Sequence, residues 1–188
     1  MDRSVALVLQ DLHIWGADTL TDFQARVGET VTAELVLGRL VKVLDGSNFR
    51  YVTLGPKGRE QLGLRPNHTV KAAAAARHIM RREAKAQLEA LGLTFVGAED
   101  RVMMRFSDAQ GTSYFLAASL SAKKTGYTAR AVRSLLARYQ GLLLTTKGIL
   151  VIATPYPGRL SRTLEKHRAY VKTLKVDGSI CNVGCRFP

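Results

Sequence analysis

The sequence predicts an α+β protein made of two domains joined by a long helix. Helix-like and strand-like periodicities alternate along the chain, an alanine-rich stretch without helix breakers lies near its middle, and charge is unevenly distributed. Residues 1–66 carry 8 basic and 8 acidic side chains, whereas residues 101–188 carry 15 basic and 3 acidic ones, a net charge of +12. Because such asymmetry indicates domains with different roles, we predict domains at 1–66 and 93–176, a connecting helix at 67–92 and a tail at 177–188.

The first domain begins with three helix signals. Apolar residues at helical spacing predict a helix over 3–14, and Thr19 or Thr21 caps a second, short helix. Gly28 forms a turn before a third helix, which Thr30 opens. The residues expected on the buried sides of these helices are Val5, Val8, Leu9 and Leu12, then Phe23 and Val27, then Val31, Leu35 and Leu37. Two helices joined by a short glycine turn are typical of the helix-turn-helix motif.

A two-stranded hairpin and a fourth helix complete this domain. Leu40–Leu44 and Phe49–Leu54 are β-capable runs separated by the Asp45-Gly46 turn signal, and a helix is predicted over Arg59–Leu64. Three helices, a hairpin and a helix make a winged helix. The run Tyr51-Val-Thr-Leu-Gly-Pro-Lys-Gly-Arg-Glu-Gln-Leu62 resembles the end of the winged-helix domains of bacterial regulators of the MarR and PadR type, which implies the same fold here.

In a winged helix, the third helix enters the major groove of DNA. The candidate base-reading residues are therefore Thr30, Thr32, Ala33 and Arg39 on the third helix and Asn48 and Arg50 at the hairpin tip. The residues offered by the third helix are mostly short, a poor set for bidentate recognition of guanine, which favours arginine or lysine, and the domain has no net charge. One alternative therefore stays open, in which this domain contacts another protein and only the basic domain holds nucleic acid.

The second domain continues from the connecting helix with the element order α-β-β-β-α-β. Its predicted strands are 93–96, 101–107, 112–119, Leu142–Thr146 and Ile149–Thr154, and its predicted helix is Thr128–Tyr139. The strand 112–119 is apolar enough to be central. Pro157 opens a last helix, with an inner side formed by Leu160, Leu164, Val171 and Leu174. This order is that of the PD-(D/E)XK nuclease-like fold.

A winged helix ahead of such a domain resembles the replication-relaxation family of plasmid and mobile-element proteins. The resemblance is carried by the N-terminal helix-turn-helix and by the run Leu142–Lys172, especially Ile149–Thr154 followed by Arg159-Leu-Ser-Arg162. It implies a role in the control of replication or transcription on a plasmid or mobile element. A homodimer is also expected, because winged-helix regulators commonly read two half-sites.

Residues 109–164 contain no aspartate or glutamate but eight lysines and arginines. Excess positive charge concentrates polyanions around a protein, so double-stranded DNA is the expected partner and an anionic membrane surface is the alternative. Gly126 and Tyr127 are expected just before a helix N-terminus, which can bind phosphate. The phosphate-binding candidates are Lys123, Lys124, Gly126, Tyr127, Arg130, Arg133, Arg159 and Arg162.

Catalysis is not expected. Nucleases of this fold hold Mg²⁺ with an acid near the second strand and with an acid and a lysine on the third, and the predicted third strand has none of these groups. Glu99, Asp100 and Asp108 are the acids nearby, and acids at strand ends are usually turn residues. Cys181 and Cys185 lack further metal ligands. We therefore expect no metal and no cofactor, and a metal-dependent nuclease with a rebuilt site stays the alternative.

The sequence also predicts a cytoplasmic protein. No run of about 18 apolar residues is present, which would be needed for a membrane span. The N-terminus lacks the basic region and the small-residue cleavage site of a signal peptide.

Overall fold

The structure is a computed structural model that describes residues 3–46, 49–100, 102–118, 125–155, 157 and 164–177, without the side chains of 125–129 and 131. The described chain is a mixed α+β structure with six α-helices and two sheets. It divides into two compact units, residues 1–79 and 80–188. Within the described residues, no helix is both long enough and apolar enough to cross a membrane.

The first unit contains helices, a short strand and a hairpin. Its elements are α1 (Arg3–Trp15), β1 (Asp18–Thr19), α2 (Leu20–Val27), α3 (Glu29–Leu37), β2 (Val41–Asp45), β3 (Arg50–Leu54) and α4 (Pro56–Gln61). β3 pairs with both other strands in an antiparallel sheet of order β1-β3-β2. The hydroxyl of Thr19 caps α2, because it accepts a hydrogen bond from the amide of Asp22 at 3.0 Å.

The core of this unit lies between α1, α2, α3 and the hairpin. Its buried members are Leu9, Leu12, Phe23, Leu35, Val41, Val52 and Leu54. The prediction for α3 is wrong at three positions: Val31 and Leu37, expected inside, are 38% and 83% exposed, and Thr32, expected at the surface, is 3% exposed. Thr32 tolerates burial because its hydroxyl donates a hydrogen bond to the carbonyl of Gly28 at 2.7 Å.

The second unit is built on a five-stranded sheet. Helix α5 (Ala72–Ala90) begins in the first unit and ends in the second. The further elements are β4 (Thr94–Ala98), β5 (Met104–Ser107), β6 (Ser113–Ala118), α6 (Thr125–Thr146), β7 (Ile149–Thr154), a 3₁₀ turn at Glu165–His167 and β8 (Val171–Lys175). The sheet has the order β4-β5-β6-β7-β8, antiparallel from β4 to β6 and parallel from β6 to β8. β6 is the middle strand, as predicted.

Helix α6 is longer than predicted, because Leu142–Thr146 forms its last turns and not a strand. Its inner side contributes Val132, Leu136, Tyr139 and Leu143 to one core with Met103, Phe115, Ala117, Leu150, Ile152, Leu164 and Val171. Leu143 lies one helical turn after Tyr139, so the inner side continues without interruption. A short apolar run fits a strand and a buried helix equally well, and only the core into which it packs distinguishes the two.

The C-terminal element is a strand and not the predicted helix. Val171 and Leu174 have helical spacing, but β8 pairs with β7 in parallel, with Val171 opposite Leu150 and Lys175 opposite Thr154. The backbone amides and carbonyls of β8 therefore find hydrogen-bond partners on β7, which lies about twenty residues earlier in the chain. Local periodicity does not reveal a partner at that distance. Residues 158–163, including Leu160, lie outside the described residues.

Candidate nucleic-acid interface

The outer side of α6 presents two arginines to solvent. Arg130 and Arg133 are exposed and lie about 4.5 Å apart along the helix axis. The opposite side of α6, with Val132 and Leu136, is buried in the core. The same amphipathic pattern that docks the helix therefore turns both arginines to solvent.

These two arginines have no acidic neighbours in sequence, because the chain from 109 to 164 contains no carboxylate side chain. In the part of the chain that the structure describes, no ion pair involves Arg130 or Arg133, whereas Arg138 of the same helix is paired with Asp100 at 3.2 Å. The guanidinium of Arg138 also lies over the ring of Tyr139, 5.3 Å from its centroid. Arg130 and Arg133 are therefore available to an anion, whereas the exposed Arg138 is paired with Asp100.

Asp100 joins the turn after β4 to helix α6. Its Oδ1 accepts hydrogen bonds from the amides of Val102 and Met103 at 2.6 and 2.9 Å, and its Oδ2 accepts from the hydroxyl of Tyr139 and from Arg138. Burial raises the pKa of Asp100, but these hydrogen bonds outweigh it and hold the pKa below its ordinary value. Burial and the hydrogen bond to Asp100 raise the pKa of Tyr139 to about 12.

Asp108 closes the loop between β5 and β6. Its Oδ1 accepts from the amides of Gln110 and Thr112 at 3.0 and 2.8 Å, and its Oδ2 accepts from the hydroxyl of Tyr114 at 3.1 Å. Desolvation raises the pKa of Asp108, but the hydrogen bonds from Thr112, Tyr114 and Gln110 hold it below its ordinary value. Each oxygen therefore has a protein donor, as in a loop-forming aspartate.

The remaining acid near the sheet is also engaged. Glu99 lies 3.6 Å from the guanidinium of Arg105, which in turn donates to the hydroxyl of Ser113 at 3.1 Å and lies over the ring of Phe115. Over the described ranges, no group of three or more histidine, cysteine, aspartate or glutamate residues is placed to hold a metal ion. Strand β6 carries no carboxylate. The acids that a metal site would use are instead bound to amides, hydroxyls and guanidinium groups.

The predicted base-reading residues differ in their exposure and in their partners. Thr30 and Ala33 are exposed on α3, and Arg39 is exposed in the turn after it, with a positive φ of 60°. Thr32 is buried, so its assignment as a base-reading residue is wrong in this conformation. Arg50 is paired with Asp45 across the hairpin at 3.4 Å, with both side chains largely exposed. Asn48 lies outside the described residues.

Of the predicted phosphate-binding residues, four lie on α6 and four lie outside the described residues. Arg130 and Arg133 lie together on α6, as described above. Gly126 and Tyr127 were expected before the helix, but α6 begins at Thr125 and their backbone belongs to its first turn. The other four predicted residues, Lys123, Lys124, Arg159 and Arg162, lie outside the described residues. No local sequence pattern indicates that Asp100 contacts Arg138 and Tyr139, because these two residues follow it by 38 and 39 positions.

No protein-family model and no curated protein matches this chain. A solved structure of EndoMS in its apo form is similar to it, with a TM-score of 0.38 and 13% sequence identity over 73% of this chain and 65% of that chain. The chain therefore spans slightly less than two thirds of the length of that protein. We draw neither fold nor function from a similarity at this level.

Proposed function

We propose that this protein binds double-stranded DNA without cleaving it, and that the outer side of α6 contacts the phosphate backbone. The observation that carries the proposal is the pair Arg130 and Arg133, exposed on a packed helix inside a stretch that has no carboxylate from 109 to 164. Exposed guanidinium groups without an ion-pair partner suit phosphate, because the planar guanidinium can donate two parallel hydrogen bonds to its oxygens. The formal charge of +13 would further concentrate nucleic acid around the protein.

We also propose that the first unit is a winged helix that docks on the duplex. The order α1-β1-α2-α3-β2-β3 and the antiparallel sheet β1-β3-β2 support this assignment. In such a domain Thr30 and Ala33 of α3 would face the major groove. Neither side chain makes the bidentate contacts that distinguish guanine, so most of the affinity would come from phosphate contacts and little from base readout.

We further propose that the second unit is a nuclease-like scaffold that holds DNA without cutting it. Its order α5-β4-β5-β6-α6-β7, with β6 and β7 parallel, supports an α-β-β-β-α-β core. The nearby carboxylates, Glu99, Asp100 and Asp108, already have protein partners. As the biological setting we propose control of replication or transcription on a plasmid or mobile element, with a homodimer reading two half-sites.

The binding part of the proposal is tested by measuring affinity for a labelled duplex by fluorescence anisotropy over a range of salt concentrations. The variant Arg130→Gln/Arg133→Gln should reduce the slope of log K against log salt by about 1.8, because each lost phosphate contact removes about 0.9. The control Arg3→Gln/Arg77→Gln removes the same charge from two exposed positions in the first unit and should change the slope much less. Equal effects of the two variants would contradict a specific role for α6.

A further inference from the structure

The zero net charge of residues 1–66 conceals a strong separation of charge. Residues 3–38 contain two basic and five acidic side chains, whereas residues 39–65 contain six basic and two acidic ones. The helical half of the unit is therefore negative, and the half with the hairpin and α4 is positive. A separation of this kind orients a domain in the field of a polyanion even when its total charge is zero.

Three acids of the helical half, Asp11, Asp18 and Asp22, are held by local partners. Arg26 of α2 pairs with Asp11 at 3.3 Å and also with Asp18, and Asp22 accepts a hydrogen bond from the hydroxyl of Thr19 at 2.7 Å. These contacts lie within α1, β1 and α2. Asp11, Asp18 and Asp22 are therefore engaged on their own side of the unit and not by the cations that follow α3.

At the base of the hairpin, the backbone before β2 packs closely against the start of α4 and brings basic residues near one another in the fold. The amide of Lys57 donates to the carbonyl of Arg39 at 3.1 Å, and the amide of Gly55 donates to that of Leu40 at 2.8 Å. Glycine is required for this approach: a Cβ on Gly55 would lie 2.3 Å from the carbonyl oxygen of Arg39, and one on Gly58 would lie 2.1 Å from that of Leu40. The start of α4 is thereby held against the turn between α3 and β2. We call Arg39, Lys42, Lys57 and Arg59 the hairpin-base cluster.

Two cations of this cluster, Lys42 and Arg59, repel each other. The ammonium of Lys42 donates to the hydroxyl of Thr69 at 3.0 Å and to the carbonyl of His68 at 3.5 Å, both uncharged groups. Burial, and then the nearby charge of Arg59, lower the pKa of Lys42. Across the described residues, no ion pair links an acid to Arg39, Lys42 or Lys57. An anion bound here would relieve repulsion that the folded protein otherwise retains.

We infer that the hairpin-base cluster is a second phosphate-binding surface, which holds the backbone of a nucleic acid. It lies at the opposite end of the hairpin from the tip: Lys42 and Asp45 are three residues apart along β2, or about 10 Å. The inference assigns Arg39 to backbone binding and not to base reading. It rests on the proposed function, because it takes nucleic acid as the ligand, but it adds a contact surface in the first unit that the α6 arginines do not provide.

The test uses the full chain with Arg39→Gln/Lys57→Gln, which neutralises the two exposed members and leaves the hydrogen-bonded Lys42 and Arg59 in place. Affinity for labelled duplex and single-stranded DNA is measured over a range of salt concentrations, and thermal unfolding confirms that the variant is folded. We expect the slope of log K against log salt on duplex to fall by about 1.8, as for two lost phosphate contacts. The control Arg3→Gln/Arg77→Gln should leave the slope nearly unchanged.

The possible results separate the two proposals. If the unmodified protein binds DNA and Arg39→Gln/Lys57→Gln behaves like its control, the hairpin-base cluster is not a phosphate site, while the proposed function stands. If the unmodified protein binds neither duplex nor single strands, both proposals are wrong. A reduced slope on both kinds of DNA assigns the cluster to the phosphodiester backbone in general, and a reduced slope on duplex alone assigns it to the double helix.

Discussion

At the scale of single residues, Asp100 shows how one carboxylate beside a strand can be fully engaged by donors of the protein. The interpretation of Asp100 and Asp108 as turn residues is confirmed, since both accept hydrogen bonds from amides of their own turns. The second oxygen of Asp100 binds Tyr139 and Arg138, which belong to a helix distant in sequence. One side chain therefore closes a turn and fastens the helix that carries the proposed phosphate contacts.

We predict that Tyr139→Phe destabilises the protein by about 1.5–3 kcal/mol, the usual contribution of a hydrogen bond to a charged group. Because folding raises the pKa of Tyr139 to about 12, its contribution is fully present below the ordinary tyrosine value of about 10 and is lost as the pH rises towards 12. Urea unfolding of the wild type between about pH 8 and pH 11 should show this loss, and the variant should show less of it.

Tyr170→Phe provides the control for this measurement, because Tyr170 is 38% exposed and its hydroxyl lies 2.6 Å from Nδ1 of the half-buried His167. It should cost less stability than Tyr139→Phe and keep the alkaline loss of the wild type. Equal alkaline losses in the wild type and Tyr139→Phe would show that Tyr139 is not the titrating group.

At the scale of elements, the end of α6 is set by one residue in the left-handed region. Lys147 has a φ of 49°, its amide donates to the carbonyl of Leu144 at 3.4 Å, and the amide of Gly148 donates to that of Leu143 at 3.0 Å. This is the Schellman arrangement, in which glycine is favoured at the position that Lys147 occupies. The glycine that follows in sequence is required for another reason, since a Cβ on Gly148 would lie 2.4 Å from the ring of Phe115.

We predict that Lys147→Gly stabilises the protein by about 0.5–1 kcal/mol. Relief of about 1–2 kcal/mol of left-handed strain is partly offset by about 0.5–1 kcal/mol of added chain entropy in the unfolded state. Lys147→Ala is the matched control, because it removes the same charge but keeps the Cβ. Urea unfolding decides between them: if alanine stabilises as much as glycine, charge and not backbone conformation limits stability at this position.

At the scale of the whole molecule, the two units differ in how their charged residues are distributed. The second unit has cations on the exposed side of α6 within a long acid-free stretch, and the first unit separates its acids from its cations. Glu99, Asp100 and Asp108, which lie beside β4 to β6, are occupied by protein donors. The charge of both units supports the proposal that the protein binds a polyanion, and the engagement of these carboxylates supports the proposal that it does not cleave DNA.

We predict that the protein leaves supercoiled plasmid intact when it is incubated with Mg²⁺ or Mn²⁺, because carboxylates engaged by amides and guanidinium groups are poor ligands for these ions. Agarose electrophoresis is the measurement, and Asp100→Ala and Asp108→Ala are the comparison variants. Metal-dependent cutting by the wild type that either substitution abolishes would contradict this prediction and favour a nuclease with a rebuilt site.

The sequence alone determined the α+β class, the helices and hairpin of the first unit, the central position of β6 and the acid-free stretch, because these follow from local periodicity, turn residues and composition. Only the tertiary structure decided that Leu142–Thr146 is helical and Val171–Lys175 a strand, since both runs fit either period and their packing partners lie far away in the chain. It also decided that Asp100 binds Tyr139 and that Lys57 lies beside Arg39, because contacts between distant residues leave no local pattern.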